Sequence, residues 1–330
     1  MDKKIDGVSV ILCCYNSAKR LPETLKYLAN QKVERSLNWE IILVNNNSSD
    51  DTVTEAVSIW KTLGEPVNMM IVDEENPGLS FAREKGMSVA TYNIYLFCDD
   101  DNWLQQDYVE TVFKIFSKNP ELGALGGWSE AAFEAEKPEW FDVFAGNFAV
   151  GKPIPETGLL DKANQFIYGA GLALHKGAIQ KLKAKGFKNI LTDRKGKQLS
   201  SGGDVEFIYG LKLIDIPVMF SEALFFYHYM PKGRMQKEYL IKLRTSMYWS
   251  NFVLGIYGDA LKNNTITFKS ILKKVKQSIS YIYSKNKELK NLDTNKLLFK
   301  KNQIEVRKLF LKHIYFYYKT RLALKKIQHG

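Results

Sequence analysis

Over the first 130 residues, short and largely apolar runs alternate with stretches whose hydrophobic positions recur every three or four residues. Val8 to Cys14, Ile41 to Val44, Val67 to Val72, Ile94 to Cys98 and Gly123 to Gly127 are such runs, the pattern of strands buried on both faces. Leu21, Leu25 and Leu28 mark one helix face between them, and Val53, Ala56, Val57 and Trp60 mark a second. Tyr108, Val109, Val112, Phe113 and Phe116 mark a third. Ser17 is placed to cap the first helix, and Asn119-Pro120 closes the third. This alternation predicts an α/β fold: a mostly parallel sheet with helices on both faces. Such sheets bind ligands beyond the carboxyl ends of their strands.

Residues 128–168 lose the periodicity and gather Trp128, Phe133, Trp140, Phe141, Phe144 and Phe148. That length predicts an excursion over the sheet rather than a plain connection. Apolar character returns from Phe166 to Leu174, ahead of predicted helices over Lys176 to Lys185 and Asp204 to about Ile214. A polar loop, DRKGKQLSSGG (193–203), separates these two helices. Beyond His228 the chain reads as helical. Ile271, Val275, Ile279 and Ile282 form one stripe there, with Lys269, Lys273 and Lys276 on the other side. Tyr315, Phe316, Tyr317 and Tyr318 fall among further lysines near the end.

The chain has 330 residues, 45% apolar and 25% charged, which excludes a disordered or collagen-like protein. No apolar run approaches the ~18 residues of a spanning helix, and Met247 to Tyr257 is interrupted by Ser250 and Asn251. The N-terminus lacks a small-residue cleavage site and reads as a first strand, so the expectation is a cytoplasmic protein. Cys13, Cys14 and Cys98 make neither a disulfide framework nor a CxxC metal motif. Charge is uneven. Residues 231–330 carry 23 Lys and Arg against 5 Asp and Glu, whereas the first 230 carry 24 against 31. An acidic body with a basic C-terminal region suggests units with different partners.

Polar clusters follow four of the strands: Cys13-Cys14-Tyr15-Asn16-Ser17, Asn45 to Thr52, Glu75 to Arg83, and Asp99-Asp100-Asp101-Asn102. Three adjacent carboxylates after a buried strand repel one another unless a cation joins them. Hard oxygen donors suit Mg2+ or Mn2+, which take one or two carboxylates and complete their shell with phosphate oxygens and water. An acidic helix N-terminus is the competing reading. Neither a GxxxxGK[ST] phosphate loop nor a GxGxxG fingerprint is present.

The ordered set of motifs resembles glycosyltransferase family 2, which has the GT-A fold. Cys14-Tyr15-Asn16 matches its T/C-Y-N opening, and Val44 to Thr52 its V-D-D-G-S-x-D-x-T segment. Asn76 to Arg83 matches N-x-G-x-x-x-A-R, and Asp99 to Asp101 the D-x-D metal motif. Gly203-Asp204 stands at the E-D motif and His228-Tyr229-Met230-Pro231 at H-x-x-P. The resemblance covers roughly residues 7–235. It departs from the pattern where Asn45 and Asn46 replace an acidic contact to the nucleotide base, and where Gly203 replaces the glutamate.

This resemblance implies a catalytic domain over 1–230, with a nucleotide-sugar half to about 127 and an acceptor half over 128–230. A basic helical region follows over 231–330. It implies inverting transfer from a UDP- or GDP-sugar to a hydroxyl of a glycan or lipid-linked acceptor, in polysaccharide or glycoconjugate synthesis. Asp204 would be the base. Asp101, Asp99 and His228 would hold Mn2+ or Mg2+. Tyr15, Asn16, Asn45, Asn46, Asn76, Gly78, Arg83, Asp99, Asp100, Gly169 and Arg234 would contact the donor, and Trp128, Trp140 and Phe141 are available to stack on sugars. The basic region suits the anionic inner face of a membrane, with helix faces packed on the catalytic body as the alternative. Nucleic-acid binding is not expected, because the body is acidic and no recognition motif occurs. A nucleotidyltransferase and a catalytically silent binding subunit are the rival readings.

Overall fold

The structure is a computed structural model that describes residues 5–194, 199–262, 266–289 and 292–329, except the side chains of Lys287 and Thr294. Residues 195–198 of the predicted polar loop lie outside the described residues. The chain begins with β1 (Val8–Cys14), α1 (Leu21–Ala29), β2 (Trp39–Asn45), α2 (Thr52–Thr62), β3 (Met69–Asp73) and α3 (Leu79–Val89). It continues through β4 (Ile94–Asp99), β5 (Asn102–Leu104), α4 (Tyr108–Lys118) and β6 (Ala124–Phe133). The predicted excursion over 128–168 begins within β6, whose second half runs to Phe133, and then holds α5 (Phe141–Phe144), a 3-10 turn (Ala145–Phe148) and β7 (Gly158–Leu159). Then come β8 (Ala173–His175), α6 (Lys176–Ala184), α7 (Gly203–Leu213) and β9 (Val218–Met230). Four helices end the chain: α8 (Lys237–Leu261), α9 (Phe268–Glu288), α10 (Thr294–Lys312) and α11 (Ile314–His329).

One sheet runs in the order β3-β2-β1-β4-β8-β6-β9-β5, with β7 against β9. Strands β1 to β4 are mutually parallel, while β8 runs antiparallel to both β4 and β6. The continuous apolar runs find the surroundings that their sequence requires: Val8, Val10, Ile11, Leu12, Ile41, Ile42, Ile94 and Leu96 are wholly buried. One core lies between the sheet and α1, α2 and α4. The other joins the opposite face to α3, α6 and α7. Cys13, Cys14 and Cys98 are free thiols on β1 and β4. Burial pushes Cys13 up to about 12 and the other two well above the ordinary thiol range.

The first helix starts later than its expected cap implied. α1 opens at Leu21, and the Ser17 hydroxyl donates to Asp100 instead of accepting a helix amide. The C-terminal helices pack on the body: Phe252, Val253, Ile256 and Tyr257 of α8 share a core with α7, and Phe310, Tyr317, Leu324 and Ile327 join it. No helix among the described residues is long and apolar enough to cross a membrane.

Because Leu324 is 3% exposed and Tyr315 is 72% exposed, Leu324→Ala should cost ~2–5 kcal/mol in chemical denaturation. Tyr315→Ala should leave stability nearly unchanged. Equal stabilities would show that α11 is not docked.

Candidate active site

The polar strand ends meet because the sheet changes direction. The chain leaves β1 toward β2, yet β4 returns on the other side of β1 with Asp99 opposite Cys13. A crevice opens at that switch, and Asp99, Asp100 and Asp101 stand at its floor. β9 lies antiparallel to β5 with His228 opposite Asn102, and the Tyr229 amide donates to the Asp101 carbonyl at 2.9 Å. That register sets His228 beside Asp101. Pro231 ends the strand, and the 3-10 turn Lys232–Met235 folds Arg234 back over the acids. Asp204 comes from the first turn of α7. Asp99, Asp100, Asp101, Asp204, His228 and Arg234 line one cavity of about 1060 Å³.

Three of the acids take arginines from three different places. Asp100 accepts from Arg20 Nη2 at 2.5 Å and Nε at 3.1 Å. Asp101 Oδ2 accepts from Arg234 Nη2 at 2.7 Å, while Oδ1 lies 3.4 Å from His228 Nε2. Against the burial that would raise it, Arg234 and His228 hold the Asp101 carboxyl well below the usual carboxylate range. Asp193 Oδ2 accepts from Arg83 Nη1 at 3.2 Å. Burial, only partly offset by Arg83, pushes the Asp193 carboxyl up to about 6. Asp99 is also raised by burial, with Arg83 opposing and the charge of Asp101 adding to the shift.

A cation beside Asp99 would offset the cost of keeping that buried carboxylate charged. Asp99, Asp101 and His228 line the cavity with carboxylate oxygens and an imidazole nitrogen, donors that fit Mg2+ or Mn2+. Among the described residues, no three His, Cys, Asp or Glu side chains form a metal-holding group on their own. The remaining ligands would therefore be phosphate oxygens and water, as is usual for these ions.

Tyr15, Asn46, Gly78, Arg83 and Gly169 also line the cavity. Gly169 has a specific reason to be glycine: a Cβ there would overlap the Asp204 carboxylate. The room left by its missing side chain is taken by the acid itself. Asn16, Asn45 and Asn76 are not brought to the cavity wall. Asn16 Oδ1 accepts from the Ser49 amide at 2.8 Å, and Asn76 Nδ2 donates to Glu74 at 2.8 Å. Asn45 donates to Asp73 at 2.8 Å and accepts from the Ser48 amide at 3.3 Å. Asn46 reaches the cavity, but its Oδ1 accepts from the Gly78 amide at 2.8 Å and its Nδ2 donates to the Glu74 and Asn76 carbonyls. These asparagines tie the strand-end loops together, so the expected amide contact to a base is not presented by Asn45.

The aromatics named for sugar stacking are also placed elsewhere. Phe141 is 1% exposed, Trp140 packs on Phe141 and Phe148, and Trp128 lies on Phe225. Phe144, Phe148, Phe166 and Tyr168 supply the aromatic wall instead. Arg20, Asp193 and Arg194 reach the cavity without any motif to announce them. Glu206 turns away into the core, where it accepts from the Ile190 and Leu191 amides at 2.8 and 2.9 Å and from the Tyr257 hydroxyl at 2.6 Å. Burial pushes its carboxyl up to about 7, with those donors opposing.

Comparisons with known proteins come to the same place. The sequence pattern of glycosyl transferase family 2 matches residues 9–181. Poly-beta-1,6-N-acetyl-D-glucosamine synthase of Staphylococcus aureus is 32% identical over 125 residues, which span 38% of this chain and 29% of that protein. The crystal structure of S. aureus TarS residues 1–349 superposes with a TM-score of 0.51 at 14% identity, covering 93% of this chain and 91% of that one. The same segment of TarS in complex with UDP-GlcNAc gives 0.51 at 14% identity, covering 93% and 92%. At such identities the structural likeness is one of fold, the GT-A fold.

Glu206 yields a pH test. Its folded pKa lies above the ordinary 4.5 at about 7, so the native state holds the proton more tightly. Its contribution is full below the ordinary value and is lost as pH rises through about 7. Denaturation of wild type and Glu206→Gln, from about pH 5 to pH 8, should show wild type losing ground to the variant. A pH-independent difference would contradict the assignment.

Proposed function

The chain belongs to glycosyl transferase family 2, and from that premise we propose that it moves one sugar from a UDP- or GDP-sugar to a hydroxyl of a glycan or lipid-linked acceptor, inverting the anomeric carbon. It is an enzyme of glycosyltransferase type, with relatives in polysaccharide synthesis, and the nucleotidyltransferase reading falls with that membership. The observation that carries the proposal is the sharing of one cavity by Asp204, the Asp99–Asp101 cluster, the buried Arg83 and the half-buried Arg234. An N-acetylglucosamine polymer synthase among the relatives, and UDP-GlcNAc bound in a structural neighbour, make UDP-GlcNAc the first donor to test.

In this mechanism the acceptor oxygen bonds to the anomeric carbon while the bond to the diphosphate oxygen breaks. Asp204 takes the acceptor proton as the new bond forms. Arg83 and Arg234 offer fixed positive charge to the departing diphosphate, which needs no reorganisation at the moment of reaction. Asp99, Asp101 and His228 would hold Mn2+ or Mg2+, which when bound neutralises diphosphate charge. Gly169 leaves the space in which Asp204 stands.

A membrane role for residues 231–330 belongs to the same proposal, and α9 supports it. Phe268, Leu272, Ile279 and Tyr283 are 76%, 42%, 53% and 68% exposed, and they recur along a helix carrying Lys269, Lys273, Lys276 and Lys285. The stripe read from sequence divides: Val275 packs toward the core, Ile271 and Ile282 are half-buried, and Ile279 joins the exposed row. Aromatics in a lysine rim suit the headgroup region of an anionic bilayer on the cytoplasmic face, where each engaged lysine contributes ~1 kcal/mol.

Asp204→Asn should release UDP from UDP-GlcNAc at least ~100-fold more slowly with donor affinity preserved. Unchanged turnover would remove the base assignment. Asp101→Asn, which keeps a hydrogen-bond acceptor for Arg234, should abolish Mn2+-dependent UDP binding by calorimetry; retained binding would remove the metal assignment. The protein should co-sediment with anionic vesicles at ~0.1 M salt and release at ~1 M, as the Debye length falls from ~10 to ~3 Å. Equal partitioning onto neutral vesicles, or none at low salt, would refute the membrane role.

A further inference from the structure

Asp193 is a buried acid of the cavity to which the mechanism gives no task. Its Oδ1 accepts from the Gly203 amide at 2.7 Å and its Oδ2 from Arg83 Nη1 at 3.2 Å. Gly203 opens α7, and Asp204 is the next residue. Gly202, at the cap position, has no side chain with which to accept a first-turn amide. Asp193 performs that service from ten residues upstream, with its charge favoured by the helix dipole.

Gly203 is the complement of this arrangement. A Cβ there would lie 2.5 Å from Asp193 Oδ2 and 2.9 Å from its Cγ. The Asp193 carboxylate therefore occupies the volume that any side chain at 203 would need. Position 203 is also where the sequence departs from the acidic pair of its motif. The carboxylate is present beside Asp204 after all, but it arrives from another segment of the chain.

That segment is held on both sides. Glu206 binds the amides of Ile190 and Leu191, and the Arg194 carbonyl accepts from the Leu79 amide at 3.0 Å. Arg83 is buried with its guanidinium 5.2 Å from the centre of the Phe97 ring; burial works against its charge, and the carboxylates of Asp193, Asp204 and Asp99 sustain it. With Asp193 neutral, the carboxylates left to attract Arg83 are Asp204 and Asp99, the two that the reaction needs free.

We propose that Asp193 is a positioning residue for sugar transfer: it anchors the first turn of α7 and keeps Arg83 off Asp204, leaving the Asp204 carboxylate free to take the acceptor proton. The inference rests on Asp204 as the base, and the test separates the two ideas. Full-length protein is assayed for UDP release from UDP-GlcNAc with Mn2+, alongside thermal stability. Asp193→Asn keeps the shape and an acceptor for the Gly203 amide but removes the negative charge that faces Arg83. It should stay folded and lose ~10- to 100-fold in kcat with donor KM within about two-fold of wild type, a pattern that a purely structural residue does not give.

Moving the carboxylate supplies the second arm. Gly203→Glu alone should be impaired by collision with Asp193, and Asp193→Ala alone by loss of the charge. The double variant Asp193→Ala/Gly203→Glu should exceed both single variants in kcat. A wild-type kcat in Asp193→Asn, or a double variant no better than Asp193→Ala, overturns the inference. Asp204→Asn is run in parallel: if it is inactive while Asp193→Asn is normal, only the role of Asp193 fails, and if it is fully active, the base assignment fails first.

Discussion

A buried carboxylate costs several kcal/mol unless a cation stands beside it, and β4 delivers three in succession to the floor of a crevice. The fold meets that demand with guanidinium groups drawn from distant parts of the chain. Arg20 precedes α1 and reaches Asp100, Arg83 on α3 reaches Asp193, and Arg234 follows β9 and reaches Asp101. Each pair joins an element to the crevice that the sheet hydrogen bonds do not place there. Removing one partner from such a pair strands the other, so these contacts fix arrangement more than they add net stability. Of these three acids, Asp99 takes no ion pair among the described residues, although the charge of Arg83 acts on it.

Periodicity made the sheet unit legible. The runs ending at Cys14, Val44 and Cys98 became parallel strands because continuous apolar sequence tolerates only burial on both faces. The acids, Asp204, His228 and Arg234 were also readable, since each sits at an element end that the pattern marks. Arg20 and Asp193 were not, because their partners lie 80 and 110 residues away and no local rule links such positions. The placing of the asparagines was beyond the sequence for a related reason. Asn16, Asn45 and Asn76 stand at strand ends, but whether an amide there faces a ligand or a neighbouring loop depends on how those loops meet. Trp128, Trp140 and Phe141 illustrate the same limit for aromatics, which serve core and sugar site equally well in composition alone.

The C-terminal helices show how charge can mislead about architecture. Their lysines outnumber their acids, yet Tyr317, Leu324 and Ile327 are buried against α7 and α8. Arg244 goes further, lying between the rings of Phe144 and Phe299 at 4.9 and 4.5 Å while donating to Asn147 and the Leu298 carbonyl. It binds the excursion after β6 to α10 across α8, so the cavity wall away from the sheet is built from three separate stretches of sequence. The basic region is thus wall and surface at once, with its apolar stripe left on α9.

The three thiols carry a practical meaning of another kind. Alkylating and oxidising reagents attack thiolate rather than thiol, and burial keeps Cys13, Cys14 and Cys98 protonated at neutral pH. With Cys14 and Cys98 buried and Cys13 half-buried on the cavity wall, the native thiols should react with maleimide more slowly than a fully exposed cysteine. A cysteine introduced on the exposed row of α9 would stand as a single reporter position, ready for a fluorophore or spin label without first stripping the chain of its own sulfur.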